Sequence, residues 1–285
     1  MDADEASWDN EAQVTALLSL LRASDKAAAS SAAAASVAAA ASAAAAAASA
    51  AAGGGAAVAP RLLEDRRLLR RFLRARRGDV EAAAAMLRAH SAWRAEKCGG
   101  WWPEANVPVA RVRAQLASGK AYCHGADRKG RPAAWVRVRL HDAKAPREEV
   151  FLMTTLLIDE AVARCEVSGC EQASVVIDFE GFGMANHDIE AASHLMSLLS
   201  SNFPERLGAL IFVRESLLFW MAWKVVSLFV DARTARKISF LGSDFRGALL
   251  REFDDAAVPA WLGGASDYVY DAAHVDAPAG PNPCE

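Results

Sequence analysis

Several residues of this sequence have the types and spacing of known ligand-binding sites. Gly181, Gly183 and Asn186 stand between a predicted strand and a predicted helix, where a dinucleotide-binding glycine loop would lie. Asn186 replaces the third glycine of that pattern, and no acidic residue follows where a ribose would be held. His187 and His194 share one helix face, but no third ligand stands at metal-binding spacing. The residues therefore predict neither a dinucleotide site nor a metal site.

Signatures of covalent catalysis are missing from the sequence. It contains no G-x-S-x-G nucleophile elbow and no G-x-x-x-x-G-K phosphate loop. No stretch combines a nucleophile with a base and oxyanion donors. We therefore expect a protein that is not an enzyme and needs no cofactor beyond a bound ligand.

The most unusual element is Leu217–Val230, in which only Lys224 and Ser227 are not apolar. As a helix it would be about 21 Å long, whereas roughly 20 apolar residues are needed to cross a bilayer. A helix that is apolar on every side must be covered. It is either a central core helix or a lid over an apolar cavity that can also lie on a membrane surface. Taken alone, the residues favour the core helix.

Charge is distributed unevenly along the chain, whose net charge is −3. Residues 61–97 hold eleven Lys and Arg against five Asp and Glu, whereas residues 252–285 hold seven acidic residues and no Lys or Arg. The net charge argues against nucleic-acid binding. The basic stretch suits anionic lipid head groups or a membrane surface, although a solvated helix face has the same composition. Five cysteines without a C-x-x-C pair, and an acidic N-terminus unlike a signal peptide, predict a cytoplasmic protein with reduced thiols.

Composition and periodicity divide the chain into four segments. Residues 1–60 hold a short amphipathic helix and an alanine-rich spacer, and residues 61–118 are helical. Residues 119–264 alternate strands with helices, which predicts an α/β domain with a mostly parallel sheet. We expect residues 265–285, which are acidic and rich in Ala and Pro, to be a disordered tail.

Two blocks of the sequence resemble a known family. One is LLRRFLRARRGDVEAAAAMLRAHSAWRAEK at residues 68–97; the other, between Asn202 and Gly242, combines PERLG, an aromatic helix, D-x-x-T-x-x-K-I and FLG. Together they resemble the CRAL-TRIO lipid-binding domain, in particular the phosphatidylinositol/phosphatidylcholine transfer proteins of fungi and plants. The resemblance covers residues 61–264. It implies an N-terminal helical region, then a sheet flanked by helices around an apolar lipid pocket.

The resemblance also implies residues for the phosphatidylinositol head group. By motif position they are Arg76, Arg77, Glu205, Thr234 and Lys237. Their chemistry suits an inositol phosphate, because Arg offers a planar fork and Lys a point charge. Each has a structural alternative: Glu205 could cap a segment, Arg76 could pair with an acid, and Lys237 could be a charge at a strand edge.

An acyl pocket and its gate are implied in the same way. The lining and gate residues would be Val175, Ile177, Leu210, Phe212, Phe219, Trp220 and Trp223. Burial of lipid hydrocarbon contributes about 0.8 kcal/mol per CH₂, so affinity is ample and a lid would control the rate of transfer. One departure affects the hinge of that lid. Where the family has I-x-N-x-P, this chain has Arg214, Glu215 and Ser216.

Three functions remain open at this point. The first is a monomeric carrier of phosphatidylinositol and a second phospholipid that binds membrane surfaces transiently. The second is a carrier of an isoprenoid or another small apolar ligand, in which Arg76, Arg77, Glu205 and Lys237 would be structural. The third is a lipid-regulated adaptor whose basic helix binds a protein partner.

Overall fold

The computed structural model describes residues 8–41, 58–98 and 109–271. The chain divides into two compact units, one ending at Lys97 and the other beginning at Cys98. The alanine-rich segment beyond Ala41 and the tail beyond Asp271 lie outside the described residues. The helices of the first unit are α1 (Glu11–Ala41), α2 (Pro60–Glu64), α3 (Arg66–Ala75) and α4 (Val80–Trp93), which continues as a π-helical turn over Arg94–Cys98.

Helix α1 packs against α3 and α4 through the stripe that the periodicity predicted. Val14, Leu17 and Leu21 are fully buried. The helix is longer than the short amphipathic helix that the sequence predicts, because the following residues are mostly alanine, which has the highest helix propensity, and no Gly or Pro interrupts them before Ala41. Its Glu11 pairs with Arg66 and Arg70, so acidic residues of α1 partly neutralise the basic helix α3.

The second unit contains six helices and five strands among its described residues. They are α5 (Val109–Ala117), β1 (Ala121–Ala126), β2 (Pro132–Arg137), α6 (Arg147–Ser168), β3 (Ala173–Asp178), α7 (Ile189–Asn202), β4 (Leu207–Val213), α8 (Leu217–Val226), α9 (Ala232–Ala235), β5 (Ile238–Phe240) and α10 (Arg246–Glu252). The sheet order is β1-β2-β3-β4-β5. Only the β1–β2 pair is antiparallel, so the predicted α/β fold with a mostly parallel sheet is confirmed.

The turn that closes the β1–β2 hairpin is held together by the side chain of Asp127. The Asp127 carboxylate accepts hydrogen bonds from the backbone amides of Lys129 and Arg131, and from the hydroxyl of Ser174 on β3. Gly130 has φ +75°, which its missing side chain allows. The buried Asp127 thus joins the turn to the third strand of the sheet.

One face of the sheet is closed by α10 and the segments that follow it. The buried residues on this side are Tyr122, Ala133, Trp135, Val176, Ile211, Val213, Phe245, Leu249, Phe253, Val258 and Leu262. Trp135 is fully buried, donates its indole N–H to the carbonyl of His124 at 2.9 Å, and packs on Phe253. We call this side the closed face.

The structure draws two segment boundaries differently from the sequence pattern. Helix α5, which the sequence pattern grouped with the N-terminal helices, packs on α6 in the second unit. The domain was expected to end at Gly264, but packing continues beyond it. Tyr268 and Tyr270 stack against Tyr122 of β1, and Ser266 is buried against His124. The acidic composition of residues 265–285 predicted disorder, but the rings of Tyr268 and Tyr270 provide enough apolar surface to pack against β1.

Candidate functional site

The face of the sheet opposite the closed face carries the residues predicted to line an acyl pocket. Val175 and Ile177 of β3 lie in register with Leu210 and Phe212 of β4, so all four side chains share one side. Leu210 and Phe212 are buried, whereas Val175 and Ile177 are only half-buried. An apolar layer that solvent still reaches is incompletely packed. We call this side the open face.

Helix α8 lies over the open face and begins at a clear cap. The Ser216 hydroxyl accepts a hydrogen bond from the backbone amide of Phe219, which satisfies an amide of the first turn. Phe219 is 3% exposed and points inward, where its ring meets Phe212 and Phe179. Trp223 contacts Phe212 across the same layer. The predicted pocket and gate residues are therefore brought together in one apolar cluster, in which aromatic rings of α8 meet side chains of β3 and β4.

The outer side of α8 and of its 3₁₀ extension, Ser227–Phe229, remains uncovered. Leu217 and Leu228 are 79% and 80% exposed, and Met221 and Phe229 are more than half exposed. Trp220 lies at the border, 42% exposed, and packs on Phe240 of β5. This excludes the central core helix that the residues alone favoured, because a core helix is covered on all sides. α8 is apolar on the side that faces the sheet and on the side that faces solvent.

A polar cluster lies where β4 and β5 begin. The Glu205 carboxylate pairs with Arg233 at 2.5 Å and lies 3.9 Å from the Lys237 ammonium group. Lys237 also donates to the carbonyl of Leu207 at 2.7 Å. The structure thus brings together two of the predicted head-group residues, Glu205 and Lys237, and adds Arg233 to them.

Thr234 stands beside this cluster on α9, but its hydroxyl has a local partner. It donates to the Asp231 carboxylate at 2.6 Å, and the backbone amide of Thr234 donates to the same side chain. Burial works to raise the pKa of Asp231, but these hydrogen bonds outweigh it and the pKa lies below its usual value. Asp231 therefore caps α9 as a carboxylate and orients the hydroxyl of Thr234.

The backbone of Glu205 is held in an uncommon conformation. Its φ of +61° lies in the left-handed region, which few residues other than glycine adopt. The side-chain amide of Gln172 donates to the carbonyl of Glu205, and Arg206 donates to the carbonyl of Glu171. The turn after α6 thus supports the residue that joins the two cations.

Arg76 and Arg77, the other two predicted head-group residues, belong to the first unit. Arg76 is the residue after α3, and both side chains are exposed. Arg77 has φ +52° and Gly78 has φ +81°, so the chain turns sharply before Asp79 caps α4. Because Arg76 is the C-cap of α3, the C′ position is taken by Arg77 and not by Gly78, where a C′ glycine would be expected from the sequence.

The glycine loop and the histidines have structural roles. The Asn186 side chain accepts from the amide of Gly183 and donates to the carbonyls of Arg139 and His141. His194 contacts the ring of Phe151. No three metal-ligating side chains come together within residues 8–41, 58–98 and 109–271. Within the same residues, no helix combines the length and the apolar character needed to span a bilayer.

Sequence reasoning missed Arg233 and the role of Asp231. Both stand in the segment D-x-x-T-x-x-K-I that was singled out, Asp231 as its first residue and Arg233 directly before Thr234. Arg233 stands four positions before Lys237, but Lys237 lies beyond the end of α9, so the spacing alone does not predict that the two share a partner. Only the contact with Glu205 distinguishes Arg233 from the exposed Arg236.

The sequence model of the CRAL/TRIO domain matches residues 116–264, just over half of the chain. The chain belongs to the CRAL/TRIO domain family. It is 32% identical over 212 residues to the phosphatidylinositol transfer protein CSR1 of Eremothecium gossypii, a match covering 72% of this chain and 48% of that protein. It is 26% identical over 222 residues to the phosphatidylinositol/phosphatidylcholine transfer protein SFH12 of Arabidopsis thaliana, covering 72% and 40% respectively.

The match to a solved CRAL/TRIO structure is confined to the fold. The crystal structure of Sfh5 superimposes with a TM-score of 0.50 and 15% sequence identity, over 65% of this chain and 70% of that one. The chain spans about half the length, or less, of the two relatives named above. Family membership therefore accounts for the architecture of the second unit, whereas ligand and activity depend on the residues of the site.

Proposed function

We propose that this chain binds a phospholipid without chemical conversion and transfers it between membranes or presents it to other proteins. The observation that carries this proposal is the two-sided character of α8, which covers an incompletely packed apolar layer while exposing apolar side chains to solvent. The names of the relatives, which are phosphatidylinositol transfer proteins, support the same class of ligand.

The acyl chains would occupy the open face beneath α8. Val175 and Ile177 offer apolar surface that is only half-buried, and Phe219 and Trp223 would form the movable wall. Each buried CH₂ group contributes about 0.8 kcal/mol. Two acyl chains therefore bind tightly without any polar contact, and the rate of exchange depends on how readily α8 moves.

The lipid would be phosphatidylinositol, and its inositol phosphate head group would be held at the start of β4 and β5. Arg233 and Lys237 supply cations for a phosphodiester, and Glu205 between them can accept hydrogen bonds from inositol hydroxyls. Thr234 would complete the set within the second unit, whereas a head-group role for Arg76 and Arg77 stays a prediction from the family resemblance. A second phospholipid such as phosphatidylcholine would share the acyl layer and need fewer of these contacts.

The exposed side of α8 would contact the membrane surface. Leu217, Met221 and Phe229 provide an apolar surface, and the exposed cations Lys224 and Arg236 are suited to anionic lipids. The protein would act as a cytoplasmic monomer with transient membrane association. The inward-facing side chains of α8 would be covered by the sheet in one state and by lipid in the other, and its exposed apolar side chains would leave water when the protein binds a membrane.

One measurement tests the ligand directly. The protein is purified from a eukaryotic host, and co-purifying lipid is identified by native mass spectrometry beside Lys237→Ala, Arg233→Gln and Arg76→Ala variants. Lys129→Ala, an exposed lysine in the β1–β2 turn, is the matched control. We expect phosphatidylinositol in wild type and control, and its selective loss from the variants. Wild type that carries no phospholipid would contradict the proposal.

The gate is tested by separating rate from occupancy. Trp220→Ala removes the α8 ring that packs on Phe240, and Trp223→Ala removes the α8 ring that contacts Phe212. We expect transfer of fluorescent phosphatidylinositol between vesicles to fall severalfold, while the lipid content of the purified protein stays near that of wild type. Equal losses of rate and content would argue against a gating role.

One observation favours a second candidate, a carrier of an isoprenoid or similar apolar ligand. Glu205, Thr234 and Lys237 all have partners within the protein. If wild type carries a neutral apolar ligand, and the Lys237→Ala variant carries the same ligand, the polar cluster is structural and this second function replaces the first.

A further inference from the structure

The tripeptide Arg214–Ser216, which joins β4 to α8, contacts the sheet more extensively than a flexible hinge would. Arg214 has φ +59°, a left-handed conformation that costs a non-glycine residue conformational energy. Such a conformation persists only where surrounding contacts enforce it. We call these three residues the α8 anchor.

The first contact of the α8 anchor is a forked ion pair. Arg214 donates through Nε and Nη2 to the two carboxylate oxygens of Asp178, at 2.8 and 2.7 Å. Asp178 is 1% exposed and ends β3, so the guanidinium group is attached to the neighbouring strand. Glu180 lies 3.2 Å from Nη1, and the guanidinium group also stacks over the ring of Phe245. A bidentate pair of this kind fixes direction as well as distance.

The other contacts of the α8 anchor reach the end of β5 and the first turn of α8. The backbone amide of Arg214 donates to the carbonyl of Gly242 at 2.8 Å. The Glu215 carboxylate accepts from the backbone amide of Leu241 at 3.1 Å. Ser216 caps α8 itself. The start of α8 is therefore connected to both β3 and the segment that follows β5.

The opposite end of α8 is attached differently. Among the described residues, the hydrogen bonds that involve Lys224–Val230 stay within the helix and its 3₁₀ extension, such as those from Ser227 to Lys224 and from Val230 to Ser227. Leu228 and Phe229 are largely exposed. Beyond Trp223, this end is retained by apolar contacts, which have no fixed direction.

From this asymmetry we propose that Arg214 is a positioning residue that fixes the N-terminal end of α8, so that the entrance to the open face opens at the C-terminal end of the helix. The inference rests on the proposed role of α8 as a gate, and it locates the pivot of that gate at the N-terminal end of the helix. The α8 anchor holds the start of α8 in place by an ion pair, whereas a rigid turn would hold it by the conformation of its backbone. The Arg214–Asp178 pair keeps Phe219 over Phe212 while Trp223 and Phe229 move.

Hydrogen–deuterium exchange of the wild-type protein tests the pivot without any lipid assay. We expect the hydrogen-bonded amides of residues 219–222 to exchange at least about tenfold more slowly than amides of residues 225–230, because the latter open without breaking contacts to the sheet. Equal exchange along α8, or faster exchange at its N-terminal end, would overturn the proposal.

Variants then assign the effect to the ion pair. Arg214→Asn accepts the left-handed backbone but cannot reach Asp178, and Asp178→Asn in the same chain avoids leaving a buried carboxylate unpaired. We expect the double variant to abolish the difference in exchange between the two ends of α8, with β3 and β4 still protected. Arg139→Gln, which removes an exposed partner of Glu180, is the matched control. Unchanged protection of residues 219–222 in the double variant would show that the anchor does not hold the helix.

The lipid assay separates this inference from the proposed function. If α8 is a gate with a fixed pivot, the double variant transfers lipid at a changed rate and still co-purifies with it. A wild type that binds no lipid removes the proposed function but leaves the exchange experiment decisive for the pivot. A lipid-binding wild type whose α8 exchanges uniformly removes only the pivot.

Discussion

The two faces of the sheet are built from the same strands but are packed to different degrees. On β3, Val176 faces the closed face and is fully buried, whereas its neighbours Val175 and Ile177 face the open face and are half-buried. On the closed face, α10 and the C-terminal segment surround the strands with aromatic rings. On the open face, α8 contributes its rings on one side only and leaves the other in solvent.

The difference shows how one sheet can serve stability and binding at the same time. A fully packed face contributes its burial free energy to folding and has no room for a ligand. A half-covered face contributes less to folding and retains apolar surface that a ligand can bury instead. Substitutions that test the faces against each other should therefore separate stability from lipid content.

The largest expected effect is the loss of Trp135 from the closed face. Trp135→Ala removes a fully buried indole and its hydrogen bond to the carbonyl of His124, which should cost about 3–5 kcal/mol of unfolding free energy. Urea denaturation measures it. Trp220→Ala at the exposed border of α8 is the control, with an expected cost below about 1 kcal/mol. Similar costs for both would mean that the faces are equally packed.

Filling the two faces should give opposite results. Val176→Phe inserts a ring into a closed layer and should cost up to about 3 kcal/mol. Val175→Phe adds the ring on the open face, where we expect little change in unfolding free energy but a clear reduction in co-purifying lipid. If the Val175→Phe protein is destabilised as much as the Val176→Phe protein, the claim that the open face is incompletely packed is wrong.

Deleting the same methyl groups on each face is a gentler comparison. Val176→Ala should cost about 1.6 kcal/mol, from about 0.8 kcal/mol per buried CH₂, whereas Val175→Ala should cost less than half as much because its side chain is half-buried. The two variants differ by one position on one strand. Denaturation curves with matching slopes would make the comparison direct.

The smallest expected effect is a pH dependence at the edge of the closed face. Burial, and then the charge of Arg164, lower the pKa of His124 below its usual 6.5, while Asp267 opposes the shift. The unfolded chain therefore binds the proton more readily, so stability should be complete above pH 6.5 and decline as the pH falls toward the folded pKa.

His124→Phe, which keeps an aromatic ring stacked on Tyr268, should flatten this decline when unfolding is measured across that range. The pKa of His141 is lowered as well, so part of the decline should remain in the variant. A variant whose stability falls with acid as steeply as that of wild type would exclude His124 as the source.

Much of the fold could be predicted, because local patterns specify it. The alternation of strands and helices predicted over residues 119–264 appears as a mostly parallel sheet with flanking helices, and the two resembling blocks pointed to the family. The exact extents were less predictable. Helix α1 runs into the alanines because of their helix propensity, whereas Tyr268 and Tyr270 extend the packing past Gly264 through contacts with the distant Tyr122.

The candidate site was predictable by residue type but not by pairing. Glu205 and Lys237 were named from their motifs, and the structure places them together; their role with lipid stays a prediction. Arg233 was missed, since nothing in the local sequence shows that it reaches Glu205 across about thirty residues. Arg214 was noticed only as a departure from the family pattern, and its partner Asp178 lies on another strand.

The sequence by itself determined the order of strands and helices, the apolar character of Leu217–Val226 on all positions except Lys224, and the presence of the head-group motifs. These follow from local propensity, periodicity and turn chemistry. Only the tertiary structure decided which side of α8 is covered, which face of the sheet is closed, and which charges meet. Those outcomes depend on packing between elements far apart in the chain, where the same apolar residue can be buried in a core or left facing solvent.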